Sequence, residues 1–275
     1  MMQGANSGTL AALISWSVRK ETKILVRNPI LRRELVMIIN LSTSRYFAAG
    51  CVVVWFSTMI GCQQRKETET ATPAPEVVID RLVLGSLQTN CYCLRAAKAA
   101  KDCLIIDTGA DHVEPLIDFL NEHSLRPAAV VFTHGHFDHV NGVTLLAEHF
   151  PEVEPVIHKE DAEALSGKVK DSKIRVVEKE EPIEFAGIKL EVFHTPGHTP
   201  GGISLYVRSR RLVFTGDTLF AGSIGRTDLE DGSREELIEG IKKKLLVLPD
   251  ETVVYPGHGP STTIGKEKRS NPFLR

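Results

Sequence analysis

The sequence predicts a mixed α/β fold, either α/β or α+β, in which one sandwich domain occupies residues 77–275. Short apolar runs of strand length alternate there with segments whose apolar residues recur at helical spacing. The chain has 275 residues, of which 42% are hydrophobic and 25% charged. These proportions are close to those of an average soluble protein and exclude a disordered, collagen-like or polytopic membrane protein.

The predicted elements of the first half begin with three strands and then alternate with helices. The first helix is indicated by the helical spacing of Val113, Leu116, Ile117 and Leu120. The predictions are strands over 77–84, 90–94 and 103–107, a helix over 112–122, a strand over 128–132, a helix over 143–150, a strand over 155–158 and a helical turn at 161–165.

The second half is predicted to be mostly β-strand, with one helix before the last strand. Ser233 followed by Glu236 forms a capping box, which predicts a helix start that runs to about residue 246. Strands are predicted over 183–185, 188–193, 203–207, 212–214 and 252–255.

The formal charge of −2 for the whole chain combines two unlike parts. Residues 1–76 carry 9 Lys and Arg against 5 Asp and Glu, whereas residues 77–275 carry 24 against 30. The predicted folded domain is therefore acidic, which argues against a nucleic-acid partner. Five cysteines in this length do not indicate a disulfide scaffold.

Residues 46–64 carry no charge, and their apolar core is too short for a typical membrane span but fits the hydrophobic part of a signal peptide. The run ends in Met59-Ile-Gly-Cys62, which resembles the lipobox of bacterial lipoproteins and implies a lipid anchor on Cys62. We therefore expect a mis-assigned extension over 1–36, a leader over 37–62, a linker over 63–76 and one folded domain over 77–275. The expected location is the bacterial cell envelope, with membrane contact only through this anchor. A short membrane anchor, an organelle transit sequence over 1–45 and a cytoplasmic location are the alternatives.

The segment His134-Gly-His136-Phe-Asp138-His139 packs four potential metal ligands into six positions, in a loop between a buried strand and a helix. In an extended loop, His134 and His136 can point to the same side, because side chains two residues apart share a face. Asp138 and His139 can then face a neighbouring position. Imidazole and carboxylate together suit zinc, iron or manganese.

Three later motifs place a single potential ligand near glycine at a strand end. They are Thr195-Pro-Gly-His198-Thr-Pro-Gly, Phe214-Thr-Gly-Asp217-Thr and Tyr255-Pro-Gly-His258-Gly. Glycine beside a ligand lets the backbone come close to an ion. Each motif is a weak signal alone, but the four motifs in this order resemble the metallo-β-lactamase superfamily over essentially all of residues 77–275.

This resemblance implies a four-layer αβ/βα sandwich with a dinuclear metal site at one edge. It also implies that Asp107 supports the ligand loop. We expect two divalent ions, zinc first, with iron or manganese as alternatives. The resemblance places one ion on His134, His136 and His198, the second on Asp138, His139 and His258, and Asp217 between them.

The implied activity is hydrolysis, in which a metal-bound hydroxide attacks a thioester or ester carbonyl of a small molecule and Asp138 orients the hydroxide. Asp217, Gly225-Arg-Thr-Asp228 and the C-terminal stretch resemble the short glyoxalase II-like subgroup, whose relatives cleave S-lactoylglutathione. Full-length glyoxalase II has a C-terminal helical domain that completes the thioester site, whereas 17 residues follow His258 in this sequence. Lys266, Lys268 and Arg269 are predicted substrate contacts that could bind glutathione carboxylates.

Three alternatives stay open at this point. The first is a persulfide dioxygenase that uses one iron on His134, His198 and Asp217. The second is a lactonase-like hydrolase, and the third is a non-catalytic binding module of the cell envelope. The sequence leaves the oligomeric state and the choice among the metals undetermined.

Overall fold

A computed structural model of the chain describes residues 76–229 and 231–275. The predicted extension, the leader with Cys62 and the linker up to residue 75 lie outside the described residues, so these assignments stay predictions. Within the described ranges, every helix is too short or too polar to span a bilayer.

The described chain forms fourteen strands and five α-helices, joined by shorter 3₁₀ and π turns. The strands are β1 Val78–Leu84, β2 Thr89–Arg95, β3 Asp102–Ile106, β4 Arg126–Val131, β5 Glu154–His158, β6 Arg175–Val177, β7 Ile183–Phe185, β8 Ile188–His194, β9 Ile203–Val207, β10 Leu212–Gly216, β11 Leu219–Phe220, β12 Ser223–Ile224, β13 Val253–Pro256 and β14 Thr262–Thr263. The helices are α1 Glu114–Glu122, α2 Phe137–Val140, α3 Val143–His149, α4 Arg234–Gly240 and α5 Ile264–Ser270, and a 3₁₀ helix covers Lys159–Leu165.

Two six-stranded sheets organise these elements. The first has the order β1-β2-β3-β4-β5-β6, and the second has the order β14-β13-β10-β9-β8-β7. In the first sheet, β3, β4, β5 and β6 run parallel. In the second, β10 and β13 run parallel while β8, β9 and β10 are antiparallel. The mixture of parallel and antiparallel pairs agrees with the α/β or α+β class predicted from the sequence.

Alternation along the strands sorts the core into separate layers. Leu104 and Ile106 on β3 pack between the sheets with residues of β8, β9 and β10, whereas Cys103 and Ile105 face α1 and α3 on the other side. A third cluster packs α4 and α5 against the outer face of the second sheet, for example through Leu237. The order helix, sheet, sheet, helix confirms the predicted four-layer sandwich.

The predicted strands and the helices in 112–122, 143–150 and 233–246 are present, with small shifts at their ends. Ser233 Oγ accepts the amide hydrogen of Glu236 at 3.3 Å, as the capping box predicts. The structure adds short elements that the sequence does not reveal, among them β6, β14, α2 and α5.

The topology brings the ligand-bearing loops to one edge of the sandwich. Asp107 follows β3, the His134–His139 segment follows β4, Asp217 follows β10 and His258 follows β13. Because β3 and β4 are parallel, and so are β10 and β13, the carboxyl ends of each pair meet at the same edge of their sheet. The His198 loop joins β8 to β9 beside them.

Candidate metal centre

The seven sequence-predicted metal ligands lie together as three overlapping groups. Within each group, one nitrogen or oxygen per residue lies within 4.8 Å of the others. The groups are His134, His136 and His198; Asp138, His139 and His258; and His134, His139 and Asp217.

The first group joins the β4 loop of one sheet to the β8–β9 loop of the other. Nδ1 of His136 lies 2.9 Å from Nε2 of His198. The ring of His134 has its centroid 4.9 Å from that of His136 and 4.8 Å from that of His198. Three imidazoles that converge in this way match the number of protein ligands that a catalytic zinc site uses.

The second group centres on the carboxylate of Asp138. Its Oδ2 atom lies 3.1 Å from Nε2 of His258 and 3.6 Å from Nε2 of His139. The hydroxyl of Thr89 donates to the same oxygen at 3.3 Å. The strand β2 therefore contributes to the site as well as the β4 and β13 loops.

Asp217 lies between the two groups. Its Oδ1 atom is 3.4 Å from Nε2 of His139, and its Oδ2 atom is 3.6 Å from Nε2 of both His198 and His258. One carboxylate thus approaches ligands of both groups, which is the position that a residue shared by two ions requires.

Three buried atoms of this cluster have no hydrogen-bond partner among the described residues: Nε2 of His134, Nε2 of His139 and Oδ1 of Asp217. A buried polar atom without a partner costs free energy, and such atoms need an explanation. All three are lone-pair donors at the centre of the cluster. A cation supplies the missing partner, so the residues present fit bound metal ions.

The second nitrogen of His198 and that of His258 are each held by a backbone carbonyl. Nδ1 of His198 donates to the carbonyl of Arg226 at 2.8 Å, and Nδ1 of His258 donates to the carbonyl of Leu87 at 3.1 Å. With Nδ1 protonated, the lone pair of each ring is on Nε2, which faces the cluster. Hydrogen bonds of this kind fix the tautomer and the orientation of a metal-binding histidine.

Asp107 performs the same task for the β4 loop. It is buried, and its backbone is left-handed with φ of 58°. Its carboxylate accepts hydrogen bonds from the amide and the hydroxyl of Thr133, both at 2.8 Å, and contacts Nδ1 of His139 at 2.8 Å. Nδ1 of His134 in turn lies 3.1 Å from the Thr133 hydroxyl. Asp107 therefore contacts the ligand loop in the way that the sequence predicts.

Burial and mutual charge set the protonation of the ligands. Burial lowers the pKa of His134 and of His136, which favours the neutral, metal-binding form. For Asp138, burial acts upward, but the hydrogen bond from His258 and the charge of His139 outweigh it and hold the pKa at about 2. The pKa of Asp217 is also low, because the charge and the hydrogen bond of His139, together with the charge of His258, outweigh its burial.

His139 and His258 respond in the opposite sense. Burial lowers the pKa of His139, but Asp107 and Asp217 outweigh it and raise the pKa. Burial likewise opposes the charge on His258, and the carboxylates of Asp138 and Asp217 raise its pKa. The carboxylates thus attract positive charge at this position, which a proton or a metal ion can provide.

Gly257 is required for the close approach of the two groups. A Cβ atom at this position would overlap with Oδ1 of Asp217 and lie 2.7 Å from Cε1 of His139. Its amide donates to the carbonyl of Gly216 at 2.8 Å and so joins the β10 and β13 loops. The glycine of the Pro-Gly-His motif therefore makes room for the ligands next to it.

The profile of the metallo-β-lactamase superfamily matches residues 84–258, a range that contains all seven predicted ligands. The chain belongs to this superfamily.

The similarity to three proteins of this superfamily extends over almost the full length of each of them. The chain is 37% identical over 210 residues to the hydroxyacylglutathione hydrolase GloC of Haemophilus influenzae, across 71% of this chain and 97% of that protein. The crystal structure of the B3 metallo-β-lactamase BLEG-1 matches with a TM-score of 0.65 and 36% identity, across 72% of this chain and 99% of that one. TTHA1623, solved in a di-iron-bound form, matches with a TM-score of 0.61 and 36% identity, across 71% and 100%.

A groove of about 400 Å³ opens beside the first group, at His136 and His198. Leu229 lines it together with His136 and His198. Phe137, the first residue of α2, has 57% of its surface exposed. The site therefore offers apolar as well as charged contacts to a small molecule.

The predicted basic contacts lie on α5, away from the residues that line this groove. Nζ of Lys268 binds Oδ1 of Asp250 at 2.6 Å, and Arg269 approaches the same carboxylate at 3.7 Å. Lys266 is exposed on the same helix. Contact between these residues and a substrate stays a prediction.

Sequence reasoning missed Asp161, a buried carboxylate of the 3₁₀ helix Lys159–Leu165 that contacts two ligand loops. In the sequence, Asp161 is only an acidic residue within a predicted helical turn, and acidic residues are usually exposed. Its partners are backbone amides far along the chain, and these leave no trace in the sequence.

Proposed function

We propose that the protein is a metal-dependent hydrolase that cleaves the thioester or ester bond of a small molecule at two divalent ions, zinc in the first instance. The observation that carries this proposal is the position of Asp217 between two complete groups of ligands. A single metal would leave one of these groups without a function.

The proposed assignment follows the two groups. His134, His136 and His198 would hold one ion, Asp138, His139 and His258 the other, and Asp217 would contact both. Bound there, the ions would supply an activated water and polarise the substrate carbonyl. The di-iron form of TTHA1623 supports two ions in this fold and keeps iron open as the alternative to zinc.

Asp138 is the residue that we propose to act on the reacting atoms. Its pKa of about 2 keeps it ionised at any working pH. An ionised carboxylate only accepts hydrogen bonds, so Asp138 would hold the attacking water by accepting a hydrogen bond from it. Thr89 and His258 contact Oδ2 and thereby fix the direction of the carboxylate.

The thioester preference is supported by similarity to GloC, which is named a hydroxyacylglutathione hydrolase. Hydrolysis of a β-lactam amide is a second candidate, because BLEG-1, a B3 metallo-β-lactamase, is 36% identical to this chain. Both reactions begin with attack of water on a carbonyl carbon, so the same residues serve either one.

A substrate panel with two variants tests the proposal. The purified chain, loaded with zinc or with iron, is assayed on S-lactoylglutathione, a lactone, an ester and a β-lactam. We expect the thioester to be turned over fastest.

Asp138→Asn should reduce kcat by about 10²–10⁴-fold, the usual range for a group that handles the reacting proton. Asp118→Asn makes the same chemical change on the exposed face of α1 and should leave kcat unchanged. Equal rates for wild type and Asp138→Asn on every substrate would contradict the assignment.

A further inference from the structure

Asp161 is a buried carboxylate that no metal group includes. It is 7% exposed and is the third residue after β5, in the 3₁₀ helix Lys159–Leu165. Its Oδ2 atom accepts hydrogen bonds from the amide of Gly135 and the hydroxyl of Thr199, both at 2.7 Å. Its Oδ1 atom accepts from the amide of Gly201, also at 2.7 Å.

The Asp161 carboxylate is held by neutral hydrogen-bond donors, namely two backbone amides and one hydroxyl. Burying an ionised carboxylate is costly unless it is hydrogen-bonded, and three short bonds from neutral donors offset that cost. The carboxylate in turn holds its three donors close to one another.

The three donors belong to the two loops that carry the first ligand group. Gly135 lies between His134 and His136, and Thr199 follows His198 directly. These loops come from different sheets, since one follows β4 and the other joins β8 to β9. The carboxylate of Asp161 therefore connects the two sheets at the point where Nδ1 of His136 and Nε2 of His198 lie 2.9 Å apart.

The space around the carboxylate is fitted to the length of aspartate. A Cβ atom on Gly201 would lie 2.5 Å from Cγ of Asp161, and a Cβ atom on Gly135 would lie 3.1 Å from its Cβ. The Gly201 loop thus reaches the carboxylate because it carries glycine, and a side chain at Gly135 would fit only after a small shift of its neighbours. One additional methylene in the side chain would push the two loops apart.

We propose that Asp161 is a positioning residue for one metal ion, which holds the His136 and His198 loops in register so that the first ligand group converges. It acts through the loop backbones and does not touch the ion. This role rests on the metal binding that the proposed function also requires, but it does not depend on hydrolytic activity. Its test therefore requires no substrate. It predicts an effect on one ion and not on its neighbour.

The test measures zinc affinity by competition with a chromophoric chelator in two backgrounds of the full chain. His258→Asn disables the second group, so that affinity reports the first group. His198→Asn disables the first group, so that affinity reports the second. Asp161→Asn and Asp161→Glu are added to each background. Glu163→Gln removes an exposed carboxylate from the same 3₁₀ helix and serves as the matched control.

Asparagine keeps the shape of aspartate but offers a single acceptor oxygen. It can satisfy Gly201, or Gly135 with Thr199, but not all three. We expect Asp161→Asn to weaken zinc binding by about 10–100-fold in the His258→Asn background, the effect usual for residues that orient metal ligands. Asp161→Glu should not restore affinity, although it keeps the charge. In the His198→Asn background, affinity should change by less than about threefold, and Glu163→Gln should have no effect in either background.

A loss of zinc affinity in Asp161→Asn that is confined to the His258→Asn background supports the proposal. A similar loss in both backgrounds would overturn it, because Asp161 would then stabilise the fold in general. Unchanged affinity in both backgrounds, or a loss confined to the His198→Asn background, would overturn it too. Full affinity of Asp161→Glu in the first background would show that charge alone matters and would likewise exclude a positioning role.

Discussion

His158 and His194 form a stacked pair outside the metal centre, with ring centroids 4.2 Å apart and planes inclined by 15°. Nδ1 of His158 accepts the amide hydrogen of Glu160 at 3.3 Å and thereby caps the 3₁₀ helix that carries Asp161. Burial is the main cause that lowers the pKa of His158, and the charge of His194 adds to it. The nearby carboxylates of Asp161, Glu160 and Glu178 act in the opposite direction and are outweighed.

The lowered pKa of His158 predicts acid sensitivity of the fold. Because the unfolded chain binds a proton more readily, the stability from neutral His158 is present above the unfolded pKa of about 6.5 and is lost as the pH falls below it. His158→Asn keeps an acceptor for the Glu160 amide but cannot titrate. Its Tm should therefore fall less than that of wild type between pH 7.5 and pH 5.5.

The exposed His149 provides the control for this measurement. His149→Asn should show the same fall in Tm as wild type, measured by thermal unfolding at both pH values. If His158→Asn and wild type lose equal stability on acidification, His158 is not buried in its neutral form.

At the scale of elements, the sequence was sufficient for the longer strands, because each of them carries its own signal, but not for short strands such as β6 and β14. In β3, Leu104 and Ile106 alternate with Cys103 and Ile105, and the two sets face different layers of the core. The ligand loops were predictable for a related reason, since histidine, aspartate and glycine cluster directly after strands whose ends share an edge.

The helix α5 and the role of Asp161 could not be predicted, because long-range contacts determine both. Glu267 of α5 is fully buried and accepts hydrogen bonds from the Thr262 hydroxyl at 2.6 Å and the Gly222 amide at 2.8 Å. Lys266, Lys268 and Arg269 are consequently exposed. A charged segment with one buried apolar residue, Ile264, has no helical periodicity to detect.

The junction of the β10 and β13 loops yields a prediction about glycine. Gly257→Ala places a methyl group against Asp217 and His139, so the two ligand groups cannot keep their spacing. We expect the variant to fold but to retain less than one equivalent of tightly bound metal, measured by elemental analysis after dialysis.

Gly240→Ala, at the end of α4, is the matched control. A Cβ atom there would meet Thr195 only at 3.6 Å, an ordinary contact. Alanine is favoured over glycine in a helix by up to about 1 kcal/mol, so this variant should bind metal normally and be no less stable than wild type. Normal metal content in Gly257→Ala would show that the loops can adjust.

At the scale of the whole molecule, an acidic domain surrounds a cluster built for cations. Residues 77–275 carry 30 Asp and Glu against 24 Lys and Arg. This surface disfavours a polyanionic partner and raises the local concentration of metal cations. The four layers form a frame in which loops from both sheets lie at one edge. The metal centre depends on the positions of these loops, because its predicted ligands come from both sheets.

The most direct test of the two-ion hydrolase is a metal titration of the metal-free chain, with thioester hydrolysis measured at each step. We predict that activity with zinc rises to a plateau at two equivalents per chain and that a chelator abolishes it reversibly. Full activity at one equivalent would contradict the two-ion centre. Oxygen uptake with a persulfide in a form that holds one iron, without thioester turnover, would contradict the proposed hydrolase itself.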